Sequence, residues 1–249
     1  MYIIFAALAG IFTFVLNCLG GLFGVISKKR RDLTYCLAIS GGIMLAAAIF
    51  SLARPAIEAG GLRTFLPWSL FGIAFMAAVN FFADRQLQKS IHGFSGNPRR
   101  IALLIIAITL HNIPEGFAIG AAFGRAQPGA MLAAIALAVG IGIQDFPEGT
   151  AVSLPLYSSG WEKKKAFWVS VLAGAVEPVA ALVGAVAEHG HPGSAVLPVA
   201  LSISAGAMLF VVSKEIVLPD IIKGNRKKAA IIAFSIGFAV MTTLDIALS

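Results

Sequence analysis

Apolar runs recur along the chain near residues 2–27, 35–53, 65–83, 101–124, 130–157, 166–187, 194–218 and 229–248, with short polar stretches between them. Crossing a hydrocarbon core takes about 20 apolar residues, so the pattern predicts eight membrane-spanning helices. The fifth and seventh runs are longer than a crossing needs, which predicts tilt or a broken helix there. No polar stretch is long enough for a soluble domain, so residues 1–249 read as one all-α membrane domain. Eight crossings place both termini on the same side.

Composition agrees with the pattern. Of 249 residues, 58% are hydrophobic and 12% charged, with mean hydropathy +0.88. A soluble domain carries roughly 25% charged residues, so most of this surface faces a lipid bilayer. The net charge of +7 does not point to nucleic acid, because the basic residues form short clusters between apolar runs rather than a patch on a soluble fold. Those clusters orient the chain. The loops after runs one, three, five and seven hold Lys28, Lys29, Arg30, Arg31; Arg85, Lys89, Arg99, Arg100; Lys163, Lys164, Lys165; and Lys223, Arg226, Lys227, Lys228. The opposite loops hold Arg54, Arg63 and Arg125, and Lys214 lies near the end of run seven. By the positive-inside rule both termini lie outside. The first run has no basic residues before it, which predicts a retained helix rather than a cleaved signal. Cys18 and Cys36 fall inside apolar runs and form no metal motif, so they read as small packing residues.

The chemistry lies in the middle of the membrane. Run four carries His111-Asn112-Ile113-Pro114-Glu115-Gly116, and run five carries Gln144-Asp145-Phe146-Pro147-Glu148-Gly149. The two align without a gap, 33 residues apart, on consecutive and therefore antiparallel helices. Repeats of opposite orientation place transporter sites at their shared axis. His111 and Glu115 are four residues apart, as are Gln144 and Glu148, so each pair projects from one helix face. Asn112 and Asp145 lie three residues before the same glutamates, so one glutamate per helix can serve two adjoining sites. Pro114 and Pro147 free the carbonyls of Leu110 and Ile143. Run six adds Glu177, also followed by proline. A mid-membrane charge costs about 2.5–3.5 kcal/mol on insertion scales. Glu115, Asp145, Glu148 and Glu177 therefore call for neutralisation, by two divalent cations or by protons that exchange with them.

These motifs resemble the ZIP family of zinc and iron transporters, and the Gln-Asp-x-Pro-Glu-Gly form looks like its GufA-like bacterial branch. The resemblance implies a primary metal site of His111, Glu115, Gln144, Glu148 and Glu177. It implies a second, adjoining site of Asn112, Glu115, Asp145 and Glu148. It further implies inward transport by alternating access, with helices one, four, five and six moving against two, three, seven and eight, in a bacterial inner membrane. Ser51, Glu58 and Asp245 look like the family's pore-entrance positions, and Glu215 like an exit position. Lys214 beside Glu215 departs from the pattern, since a cation there repels metal unless it snorkels to the inner surface.

One imidazole with carboxylates and amides, and no thiolate, suits Zn2+ as the transported substrate, with Cd2+, Fe2+ and Mn2+ as neighbours. No organic cofactor is called for. The rival is an intramembrane metal-dependent hydrolase, but only one intramembrane histidine is present and no His-Glu-x-x-His motif. A proton-coupled carrier for another solute is a further alternative. His92 is alone in its loop, and His189 and His191 read as incidental. Gly20, Gly24, Gly116, Gly120 and Gly124 form small-residue faces for packing within the monomer, a homodimer being the other use of such faces.

Overall fold

The computed structural model describes residues 2–26, 33–90, 98–125, 130–189, 195–222 and 227–248, with the side chains of Leu33, 88–90, Pro98, Glu215, 218–221 and Leu248 left aside. Lys28, Lys29, Arg30, Arg31, His92, His191, Lys223 and Arg226 lie outside the described residues, as do the side chains of Lys89 and Glu215. The elements are helices α1 (Tyr2–Ile26), α2 (Leu33–Ala47), α3 (Arg54–Ser90), α4 (Pro98–Arg125), α5 (Met131–Ser158), α6 (Lys163–Gly174), α7 (Val176–His189), α8 (Val196–Val211) and α9 (Lys227–Leu248). Widened π-helical turns span Ala48–Ala53 and Val212–Ile222.

Among the described residues, seven helical stretches are long and apolar enough to cross a membrane. The second, Thr34–Leu87, is 54 residues long and holds two of the eight expected runs. Within it Gly61 leaves helical geometry at φ 70° and ψ 170°, a conformation that glycine adopts without steric cost. Run seven is not broken: α8 passes directly into the π-helical turn at Val212, which keeps helical φ and ψ. Run five is likewise one 28-residue helix despite Pro147 and Pro155. Run six breaks between α6 and α7, because Pro178 has no N–H for the carbonyl of Gly174.

The helices are built inside out relative to a soluble protein. On α1, Ile4, Leu8, Ile11, Val15, Leu19, Leu22 and Ile26 are exposed at steps of three and four, a stripe that faces lipid. The opposite face buries Ala6, Ala9, Gly10, Thr13, Asn17, Gly20, Gly21 and Gly24. Small residues there let backbones approach closely. A Cβ on Gly20 would lie 1.8 Å from Phe146 O, and one on Gly120 would lie 1.8 Å from Ala181 O. The small-residue faces are thus packed within the chain.

Contacts at the glycines also fix helix direction. Gly20 meets Phe146 and Gly24 meets Thr150 and Ser153, so α1 and α5 run the same way. Gly116 meets Glu177 and Gly120 meets Ala181, so α4 and α7 do too. Ser51 bonds Asp245 while Gly237 meets Ile39, which makes α2 and α9 parallel. Gly60 meets Pro198 and Gly72 meets Ala207, which does the same for α3 and α8. Ser40 bonds Pro147 O while Gly140 meets Ser51, so α2 and α5 are antiparallel.

Candidate metal centre

Each Pro-Glu-Gly segment places its glutamate where two helices touch. Gly116, next to Glu115, packs on the backbone of Glu177, and Gly149, next to Glu148, packs on the backbone of Asn17. This close approach draws the polar side chains of α4, α5 and α7 together. His111, Asn112, Glu115, Gln144, Asp145, Glu148 and Glu177 are all 0% exposed.

Ligand atoms of His111, Glu115 and Glu148 lie within 4.8 Å of one another. His111 Nε2 is 3.3 Å from Glu148 Oε2 and 4.0 Å from Glu115 Oε1. Metal–ligand bonds of about 2.0–2.2 Å set neighbouring donors roughly 3–4 Å apart, so a Zn2+-sized ion fits between these atoms with small adjustments. His111 Nδ1 lies 2.9 Å from Ala107 O, which can only accept. Nδ1 therefore carries a proton, and Nε2 is the ring atom turned toward the cluster, the orientation that a metal ligand needs.

The remaining polar atoms are rich in acceptors and short of donors. Gln144 Nε2 donates to Glu115 Oε2 at 2.9 Å. With its amide nitrogen turned toward them, Asn112 donates to Ile108 O at 2.8 Å and Glu148 Oε2 at 3.3 Å. Among the described residues, Glu115 Oε1, Glu148 Oε1, Gln144 Oε1 and both carboxylate oxygens of Asp145 and of Glu177 have no donor of good geometry. Thr13 lies beside Glu177, but its hydroxyl donates to Gly10 O at 3.1 Å. The charged neighbours of Glu115, Asp145 and Glu177 are one another, Glu148 and His111. Buried acceptors without donors are costly, and a cation is what such a cluster lacks.

Ser51, Glu58 and Asp245 also come together. A cavity of about 470 Å³ is lined by Ser51, Glu58 and Asp245, with Arg54, Arg125 and Gly140. Ser51 Oγ donates to Asp245 Oδ1 at 2.8 Å. Arg54 Nε donates to Glu58 Oε1 at 2.9 Å. Arg125 Nε is 3.8 Å from Glu188, which is 0% exposed and whose Oε2 accepts from Leu197 N at 3.0 Å. The sequence reading took Arg54 and Arg125 only as loop charges and passed over Glu188. The four-residue step from Arg54 to Glu58 was the available signal for the first pair. Thr13 and Asn17 were missed as well, because each is one polar residue in an apolar run with no motif around it. His189 is exposed, its ring stacked on Tyr2 with centroids 3.6 Å apart, and does not line the cavity. Lys214 is exposed, as snorkelling requires.

Comparison with known proteins follows the same residues. A family model described as ZIP zinc transporter matches residues 83–245. The chain is similar to zinc transporter ZIPB of Bordetella bronchiseptica, 33% identical over 259 residues, covering 98% of this chain and 81% of that protein. It is similar to zinc transporter GufA of Myxococcus xanthus, 35% identical over 210 residues and covering 80% of each. Against human zinc transporter ZIP11 it is 48% identical over 154 residues, covering 60% of this chain and 44% of that protein. The chain thus spans less than half the length of that human relative.

Proposed function

This chain belongs to the ZIP family of zinc transporters, and from that premise we propose that it carries divalent metal ions inward across a cell membrane, Zn2+ before Cd2+, Fe2+ or Mn2+. A family of transporters removes the intramembrane hydrolase from consideration. The observation that carries the proposal is the convergence of His111, Glu115 and Glu148 within 4.8 Å at full burial. Relatives named as zinc transporters support the choice of metal.

In this reading His111, Glu115, Gln144, Glu148 and Glu177 hold the first ion, and Asn112, Glu115, Asp145 and Glu148 hold a second. Two divalent ions balance four carboxylates. Ions bound by oxygen and one imidazole leave more readily than from a closed thiolate site, and protons can take the place of a departing ion. Eight crossings, with the 54-residue stretch reversing near Gly61, are supported by its length, enough for two spans, and by the departure from helical geometry at Gly61. Both termini then lie outside, and α1, α4, α5, α6 and α7 move against α2, α3, α8 and α9. Ser51, Glu58 and Asp245 form the outer mouth, where Arg54 offsets part of the negative charge, and Glu215 lies toward the inner side.

The test is uptake of Zn2+, Cd2+, Fe2+ and Mn2+ into proteoliposomes, with a pH gradient imposed and then removed. Uptake of Zn2+ well above that of protein-free vesicles is expected. No metal flux under any gradient would exclude the proposal, and flux indifferent to the gradient would exclude obligatory proton exchange.

A further inference from the structure

The internal repeat extends beyond the two Pro-Glu-Gly helices to the helices that pack on them. On one side, Gly116 meets the backbone of Glu177, and Gly184 meets Phe117 O and Ala121 N. On the other, Gly149 meets the backbone of Asn17, and Gly24 meets Thr150 O and is close to Leu154 N. The same step of 33 residues that relates the motifs carries Gly116, Phe117 and Ala121 onto Gly149, Thr150 and Leu154. A constant step of 160 separates Asn17 from Glu177 and Gly24 from Gly184. Asn17 therefore stands where Glu177 stands, in the mirrored half.

The charges divide accordingly. One half contains His111, Asn112, Glu115 and Glu177, and the other contains Gln144, Asp145, Glu148 and Asn17. Asn112 faces Asp145 in the repeat, and Asn17 faces Glu177. The two exchanges run in opposite senses, so each half keeps two carboxylates, enough to balance one divalent ion. A second observation bears on Asn17 alone. It is 0% exposed, and its Nδ2 has no hydrogen-bond partner among the described residues. Its amide is wedged between Gly149, directly after Glu148, and Gly174, directly before the break that leads to Glu177. Ser170 Oγ lies 3.4 Å from its Oδ1, but the Ser170 hydroxyl donates to Gly149 O at the shorter distance of 2.9 Å. A buried amide with a free donor costs stability, and helix packing alone would be served by an apolar residue.

We propose that Asn17 is a polar member of the metal pathway, the neutral counterpart of Glu177, completing the second half of the cluster for a divalent cation. This rests on the transport reading above. Asn17 orients the Glu148 and Glu177 segments between which it lies, so it acts as a positioning residue.

Mirror symmetry supplies a test that a packing role would not pass. Zinc uptake into proteoliposomes is compared for the unaltered protein, Glu177→Asn, Glu177→Asn with Asn17→Asp, and Glu177→Asn with Ser170→Asp. Asparagine and aspartate are close in size, so the swap moves the charge without new volume. Glu177→Asn is expected to lower uptake by about 100-fold, and Asn17→Asp to restore at least about tenfold of that loss, on the scale of ligand-supporting residues. Ser170→Asp, buried nearby but off the mirror position, restores nothing. A swapped protein that is monodisperse yet no better than Glu177→Asn overturns the proposal. If the swapped protein aggregates, Asn17→Leu decides instead. It raises the KM for zinc by about tenfold if Asn17 serves the ion, and an unchanged KM counts against it. An inactive unaltered protein would sink the transport reading itself, whereas an inactive swap beside an active parent sinks only the role of Asn17.

Discussion

Replacing Glu115 or Glu148 by alanine is expected to lower the initial rate of zinc uptake by about 100-fold or more, with the protein still inserted and monodisperse. Loss of groups that merely support metal ligands costs 10–100-fold, and each of these glutamates is placed to contact the ion directly. Glu115 accepts from Gln144 and faces His111, and Glu148 lies 3.3 Å from His111 Nε2. Each is shared between the two proposed ion positions, so neither loss can be covered by the other helix. Removing a carboxylate relieves repulsion among buried charges, while Glu115→Ala also leaves the Gln144 amide without its acceptor, so the thermal midpoint of each variant is measured beside its uptake. Uptake at parental rates in the Glu115→Ala/Glu148→Ala double variant would contradict the whole assignment.

Gly20→Val and Gly120→Val form the second large expectation, this time on stability. A Cβ at either position would sit 1.8 Å from a carbonyl oxygen of the facing helix. Neither a rotamer change nor a small side-chain shift can relieve contact with backbone, so α1 must move from α5, or α4 from α7. Overpacking costs typically 1–3 kcal/mol, and the thermal midpoint in detergent should fall by several degrees, about 2–4 °C per kcal/mol in a chain of this size. Gly140→Ala is the contrast, since its nearest neighbour would be the side-chain Oγ of Ser51 at 3.1 Å. It should shift the midpoint little. Equal midpoints for Gly120→Val and Gly140→Ala would mean that close helix approach does not hold the bundle together.

Much of this was readable from residue order. The Pro-Glu-Gly repeat pointed to Glu115 and Glu148 because an ionisable residue is rare in an apolar run, and its occurrence twice in the same Pro-Glu-Gly setting carries information. Glu177 was readable as a single carboxylate beside a proline in such a run. Asn17 and Thr13 were not, because a single amide or hydroxyl in a run is common and only the facing helix gives it meaning. The long stretch of α2 and α3 was legible as two apolar runs, but the departure from helix at Gly61 was not, since Gly60 and Gly61 are ordinary residues until a positive φ is needed at one of them. Ser51, Glu58 and Asp245 are remote in sequence, and only the fold places them on one cavity wall. Arg54 and Arg125 on that wall were hidden by counting charges for orientation alone.

Two arginines line the same cavity: Arg54 is paired with Glu58 and also lies close enough to Asp245 to interact with it, and Arg125 faces the buried Glu188, while Ser51 donates to Asp245.

The most direct test of the account is zinc K-edge X-ray absorption of the purified protein loaded with one and then two equivalents of Zn2+. The account predicts a first shell of nitrogen and oxygen only, at about 2.0–2.2 Å, with imidazole outer-shell scattering that disappears in His111→Ala. A sulfur shell near 2.3 Å, or a spectrum unchanged by His111→Ala, would place the metal elsewhere and contradict it.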